Sequence, residues 1–117
     1  MQLGAVRIWV NDLPQAVRFY RDLLGWHFDS GESSEWAAVF RDSAIDVVVE
    51  PAGDEPELAG RFTGLSFRVE DIAQAYSTLR SAGVAFSEAP ERQFWGGITA
   101  SFTDPSGNQL QIVEYPK

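Results

Sequence analysis

The groups in this chain best placed to touch a ligand are arginine, tryptophan, hydroxyl and amide side chains. Histidine and cysteine, the usual carriers of nucleophilic and metal chemistry, are nearly absent. Arg7 and Arg68 each present a planar fork that can grip a carboxylate or phosphate through two parallel N–H bonds. Trp9, Trp36 and Trp95 offer flat faces for stacking an aromatic or cationic group. Ser66, Ser101 and Gln111 add neutral donors and acceptors. There is no cysteine, which removes a thiolate nucleophile, a disulfide framework and a sulfur-ligated metal. The single histidine, His27, follows the first predicted helix and reads as a surface residue. Glu32 and Glu35, and Asp54, Glu55 and Glu57, fall in loop-like sequence and read as solvated surface, not as a catalytic carboxylate pair. No nucleophile elbow, phosphate-cradling glycine loop or basic stripe is present. The pattern suits binding, and no catalytic residue is assigned.

The scaffold that positions these groups is written twice. Val10-Asn11-Asp12-Leu13-Pro14-Gln15-Ala16 returns as Val69-Glu70-Asp71-Ile72-Ala73-Gln74-Ala75, with Asp12 answered by Asp71 and Arg21 by Arg80. Gly25 and Gly83, and Phe28 and Phe86, follow after one deletion. A repeat of half the chain length predicts two copies of one supersecondary unit. Leu3 to Val10 alternates as a strand, with Val6, Ile8 and Val10 on one side and Ala5, Arg7 and Trp9 on the other. Asp12 with Gln15, and Asp71 with Gln74, read as capping boxes at helix starts. Leu13, Ala16, Val17, Tyr20, Leu23 and Leu24 form one apolar helical stripe, and Ile72, Ala75, Tyr76 and Leu79 another. Gly25 and Gly83 are the expected stops. Strands are predicted at Trp36–Phe40, Ile45–Glu50, Ile98–Thr103 and Gln109–Tyr115, the last two joined by the turn sequence Asp104-Pro105-Ser106-Gly107-Asn108. The result is one α+β domain spanning 1–117: a first βαβββ module over 1–50, an acidic linker over 51–60 and a second module over 61–117. By alternation Gly64, Ser66 and Arg68 share the side of the second module turned away from its helix. Thr99, Ser101, Thr103, Gln109, Gln111 and Val113 extend that side.

Composition bounds the partners. A net charge of −8 and a pI near 4.4 disfavour nucleic acid and anionic membranes. No run approaches the roughly 18 continuous apolar residues of a membrane span. No leader pattern is visible, and with the missing cysteines this fits a cytoplasmic protein.

In order along the chain, Val10-Asn11-Asp12-Leu13 through Phe19-Tyr20-Arg21-Asp22-Leu23-Leu24-Gly25, then Phe67-Arg68-Val69-Glu70-Asp71-Ile72, then Trp95-Gly96-Gly97 and Phe102-Thr103-Asp104-Pro105-Ser106-Gly107-Asn108 resemble the vicinal oxygen chelate superfamily. This superfamily comprises glyoxalase I, extradiol dioxygenases, and fosfomycin- and bleomycin-resistance proteins. The resemblance implies an open, cupped mixed sheet with flanking helices, often completed in a homodimer. It implies metal ligands, usually His or Glu, at positions that here fall on Ala5, Gly64 and Gln111, with the fourth best placed at Val47 and Asp46 or Val48 as other registers. Ala, Gly and Val carry no side-chain donor, and Gln111 offers one neutral carbonyl oxygen. No metal or other cofactor is expected. Small residues at those points leave room for a bound molecule. The expected ligand-binding set is Arg7, Trp9, Trp36, Ser66, Arg68, Trp95, Ser101 and Gln111. Trp95 precedes a glycine pair where the family places an aromatic near the cleft. Two readings stand for Arg7 and Arg68, a ligand or acidic partners at a dimer seam, and Trp36 is open between site and interior.

The function expected is a metal-free binder of an unidentified small molecule, of the bleomycin-resistance type. The alternatives are a cofactor-independent isomerase or lyase acting on a small carboxylated substrate, with Asp46 as proton carrier, and a non-catalytic interaction module. A metal-dependent enzyme ranks last.

Overall fold

A computed structural model describes residues 1–42 and 45–117. Its elements run β1 (Ala5–Val10), α1 (Leu13–Val17) continuing as a π-helical stretch (Arg18–Leu23), β2 (His27–Asp29), β3 (Ala38–Asp42), β4 (Ile45–Pro51), a 3₁₀ turn (Pro56–Leu58), β5 (Phe62–Arg68), α2 (Ile72–Ser81), β6 (Ala85–Arg92), β7 (Ile98–Thr103) and β8 (Gln109–Glu114). The strand–helix–strand–strand–strand order appears twice, as the repeat predicts. Each module has its own four-stranded mixed sheet, in the order β1-β4-β3-β2 and β5-β8-β7-β6. In each, the opening strand pairs parallel with the last one, and the remaining pairs are antiparallel.

Two compact units follow from the packing, residues 1–61 with 105–108, and residues 62–104 with 109–117. In the first, Ile8 and Val10 of β1, Phe40 of β3 and Val49 of β4 are buried with Leu13, Ala16, Phe19 and Tyr20 of the helical segment. The helix starts where expected, with the Asp12 carboxylate accepting from the Gln15 backbone N–H at 3.0 Å. It does not continue as one α-helix. The Leu24 N–H reaches back five residues to the Phe19 carbonyl at 3.0 Å, and the Trp26 N–H six residues to that of Tyr20 at 2.9 Å. This wider turn carries two consecutive large buried rings, Phe19 and Tyr20. Gly25 then ends it at φ +75°.

In the second unit Leu65 and Phe67 of β5 face Ala100, Phe102, Leu110 and Ile112, and Ile72 of α2 closes the interior. Asp71 accepts from the Gln74 N–H at 3.1 Å, and Glu114 Oε1 accepts from the Ile72 N–H at 3.0 Å, so two of the orphan donors at the start of α2 are satisfied.

The turn Asp104–Asn108 does more than connect β7 to β8. Residues 105–108 pack within the first unit. The Asn108 side chain, 1% exposed, donates to the Trp9 carbonyl at 2.7 Å and accepts from the Gly60 and Arg61 N–H groups at 2.9 and 3.0 Å. Ser106 Oγ accepts from the Asn11 N–H at 2.9 Å. The linker is correspondingly ordered: Ala52 N–H donates to the Val10 carbonyl, and Ala59 bridges Trp9.

Candidate functional site

Strand register decides which side chains share the open face of each sheet, because directly paired residues point the same way. In the first unit Ala5 pairs with Asp46, Arg7 with Val48 and Trp9 with Glu50. Val39 and Arg41 of β3, and Asp29 and His27 of β2, complete that face. Val47 does not belong to it. It pairs with Val6 on the helix side and is 2% exposed. The run Val47-Val48-Val49 has no polar alternation to betray its register, and the structure turns Asp46, Val48 and Glu50 outward instead. Ser66 stands opposite Gln111 in the second module as Arg7 stands opposite Val48 in the first, so Val48 is the true counterpart of Gln111.

Both arginines of this first face are already paired with carboxylates of the same chain. Arg7 grips Glu50 bidentately, Nε to Oε2 at 2.8 Å and Nη2 to Oε1 at 3.0 Å, and its guanidinium lies 4.6 Å from the Trp9 ring centroid. The hydrogen bond to Glu50, with its charge, raises the Arg7 pKa further. Arg41 bonds Asp29 at 2.9 Å and Asp46 at 2.6 Å. The Arg41 hydrogen bond, helped by the Glu32 and Gly31 backbone N–H groups, holds the Asp29 carboxyl below the usual carboxylate range. Within the chain, the partner of Arg7 is an acid 43 positions away. His27 is exposed at the edge strand of this face.

The open face of the second sheet is mostly small and uncharged at its centre, with Arg68 on β5 and Glu88 and Glu91 on the edge strand β6, paired with Ser101 and Thr99. Gly64, Ser66 and Arg68 lie on β5, Gln109, Gln111 and Val113 on β8, and Thr99, Ser101 and Thr103 on β7. The Ser66 hydroxyl donates to Gln111 Oε1 at 2.7 Å. A depression of about 60 Å³ opens beside this pair, walled by Gly64, Ser101 and Gln109. It is well below the roughly 300–1,000 Å³ of a ligand pocket. Gly64 has φ +73° and sits where the β5–β8 register shifts between Phe62 and Ser66, the mark of a bulge. Arg68 stacks 4.9 Å above the Tyr115 ring, and Trp95, 43% exposed, lies 6.1 Å from Tyr115. The Trp95 ring covers Gly97 so closely that a Cβ there would meet it at 2.0 Å. Trp36 is not at a strand start. It lies in a bend two residues before β3 and is 72% exposed, because Ser33 and Ser34 hold that loop through the Val39 and Trp36 N–H groups.

The donor set speaks against the family's metal. Ala5, Gly64 and Val48 supply no side-chain donor, and the Gln111 oxygen already accepts from Ser66. Among the described residues no group of three or more His, Cys, Asp or Glu side chains converges. Sequence reasoning missed Asp29, Arg41, Glu50 and Tyr115. Alternation through Asp46, Val48 and Glu50 is the signal that would have placed Glu50 beside Arg7.

Comparison with known proteins places this geometry. The sequence matches the profile of the Glyoxalase/Bleomycin resistance protein/Dioxygenase superfamily over residues 2–112. It is 32% identical to the uncharacterized protein YraH of Bacillus subtilis, covering 97% of this chain and 98% of that protein. A member of the same superfamily from Sphaerobacter thermophilus superposes with a TM-score of 0.82 at 30% identity over 98% of each chain. TnmS3, an antibiotic-binding protein from Streptomyces sp. CB03234, shares the fold with a TM-score of 0.82 at 22% identity, over 100% of this chain and 97% of that one. With its repeat, paired mixed sheets and matched profile, the chain belongs to the glyoxalase/bleomycin resistance protein/dioxygenase superfamily.

Proposed function

We propose that this protein is a metal-free small-molecule binder that holds its ligand on the open sheet faces without converting it, in a sequestration or resistance-like role. The observation that carries the reading is the chemistry at the family's metal positions: three residues without donors, and Gln111 with its oxygen already bonded to Ser66. Arg68, stacked on Tyr115 and without a carboxylate partner among the described residues, is the cation offered to an anionic or aromatic ligand. Trp95 is its flat wall, and Ser66, Ser101 and Gln111 its neutral hydrogen-bonding floor. TnmS3, named for antibiotic binding, supports this class of role on the same fold. The working form is a cytoplasmic homodimer. The isomerase or lyase alternative takes Asp46 as its proton carrier, and Arg41 bonds one oxygen of that carboxylate at 2.6 Å.

Titration with bleomycin and a panel of aromatic antibiotics, followed by tryptophan fluorescence, tests the reading. Saturable quenching, weakened by Arg68→Gln and Trp95→Ala, with the compound recovered at unchanged mass, is the expected result. Conversion of the compound by the protein contradicts it.

A further inference from the structure

A groove lies off the open faces, on the helix side of the first module. It runs between the helical segment and the β2–β3 connection and measures about 430 Å³, a volume within the range of ligand pockets. Its floor is apolar: Leu13, Val17, Phe28 and Ala38. The helix wall carries Arg18 and Arg21, and the opposite wall Ser34 and Glu35. Part of the helix wall is the π-helical stretch, a rare conformation that occurs often at functional sites.

The internal repeat shows what the groove lacks. In the first module Phe28 packs on Phe40 with ring centroids 5.5 Å apart. In the second, the equivalent pair Phe86 and Phe102 is also 5.5 Å apart. The helix residue facing the pair differs. Tyr76 in the second module packs edge-on against Phe86 at 4.7 Å, with the Arg80 guanidinium 5.7 Å from its centroid. Its repeat-mate is Val17, which reaches no such contact, and the conserved arginine of the repeat, Arg21, lies 5.7 Å over Phe28 instead. A depression of comparable size, about 400 Å³, lies outside Tyr76, but it is lined by Tyr76, Ser77, Arg80 and Ser81 and has no aliphatic floor. One module thus fills with its own phenol ring the place that the other leaves open.

We infer that the Val17 groove binds a hydroxylated monocyclic aromatic carboxylate, whose ring takes the position that Tyr76 occupies in the second module. The ring stands edge-on to Phe28, the favoured arrangement of two aromatic quadrupoles. The carboxylate meets Arg18, which makes no ion pair within 4 Å among the described residues and whose charge otherwise acts on Asp22. The phenolic hydroxyl meets Ser34 and Glu35 on the facing wall. The inference does not depend on ligand binding at the open faces.

The test uses 4-hydroxybenzoate as probe, with calorimetry for affinity and NMR for location. The expected result is saturable binding with contacts from the ring protons to the Leu13 and Val17 methyl groups, not matched by cyclohexanecarboxylate. Val17→Tyr, which copies the second module, abolishes it. Arg18→Gln, on the exposed helix surface, weakens it roughly tenfold, the loss of one charge-assisted hydrogen bond. No saturation by about 10 mM, ring contacts to Trp9 or Gln111 instead, or full affinity in Val17→Tyr overturns the inference. If Val17→Tyr does not fold, unchanged affinity in Arg18→Gln overturns it.

Discussion

Replacing Asn108 by alanine tests the claim that a turn from the second half of the sequence locks the first unit. Its side chain makes three hydrogen bonds of 2.7 to 3.0 Å, to the Trp9 carbonyl and to the Gly60 and Arg61 N–H groups. Each is worth about 1 kcal/mol net. Gly60 and Arg61 are exposed enough for water to recover part of their loss, whereas the carbonyl of Trp9 is only partly accessible. The expected cost is therefore about 3 kcal/mol, a large share of the roughly 5–15 kcal/mol that holds a domain together. With 117 residues and about 2.1 cal/mol/K of unfolding entropy per residue, this lowers Tm by about 10–15 °C. Calorimetry and urea unfolding measure it, with Ser106→Ala as the graded comparison, since that change removes the single bond to the Asn11 N–H and should cost about 1 kcal/mol or less. A loss in Asn108→Ala no larger than that of Ser106→Ala would refute the reasoning.

Three further outcomes are expected. Gly64→Ala meets no atom closer than Phe62 Cε2 at 3.8 Å, so only its left-handed backbone resists, and urea unfolding should show a loss of about 1 kcal/mol. Gly97→Ala must displace the Trp95 ring. Because that ring is half-exposed, Tm should barely move while the Trp95 indole NMR signal shifts and affinity at the open face of the second sheet falls. Asp29 has its pKa lowered in the fold, chiefly by the Arg41 hydrogen bond, so its contribution is present above the ordinary carboxylate pKa of about 4 and is lost as pH falls through the lower folded value. Arg41→Gln should therefore flatten the acid limb of the stability profile below about pH 4 and leave its slope near neutrality unchanged.

Local signals carried most of the architecture. Asp12 and Asp71 mark both helix starts, the alternation in β1 and β5 separates the faces, and Gly25 and Gly83 take the positive φ that ends each helix. What escaped depends on contacts distant in sequence or on patterns without contrast. Three consecutive valines carry no register of their own in β4, and only the flanking Asp46 and Glu50 mark the open face. Phe19 and Tyr20 are both buried on a π-helical stretch, where the stripe implies only an α-helix and includes Tyr20 without Phe19. The pairing of Arg7 with Glu50, and of Asn108 with Trp9, joins residues 43 and 99 positions apart. The Asp-Pro-Ser-Gly-Asn turn announced its bend but not the partner that its last residue would clamp. Trp36 follows two serines whose hydroxyls serve the loop, which keeps it out of the strand that its aromatic character suggested.

The most direct test of the central claim is metal content. Tag-free protein is incubated with zinc, nickel, manganese and iron, desalted and analysed by elemental mass spectrometry. With no donor at Ala5, Val48 or Gly64 and the Gln111 oxygen bonded to Ser66, metal should stay far below one atom per chain. Metal retained at close to one atom per chain would contradict it.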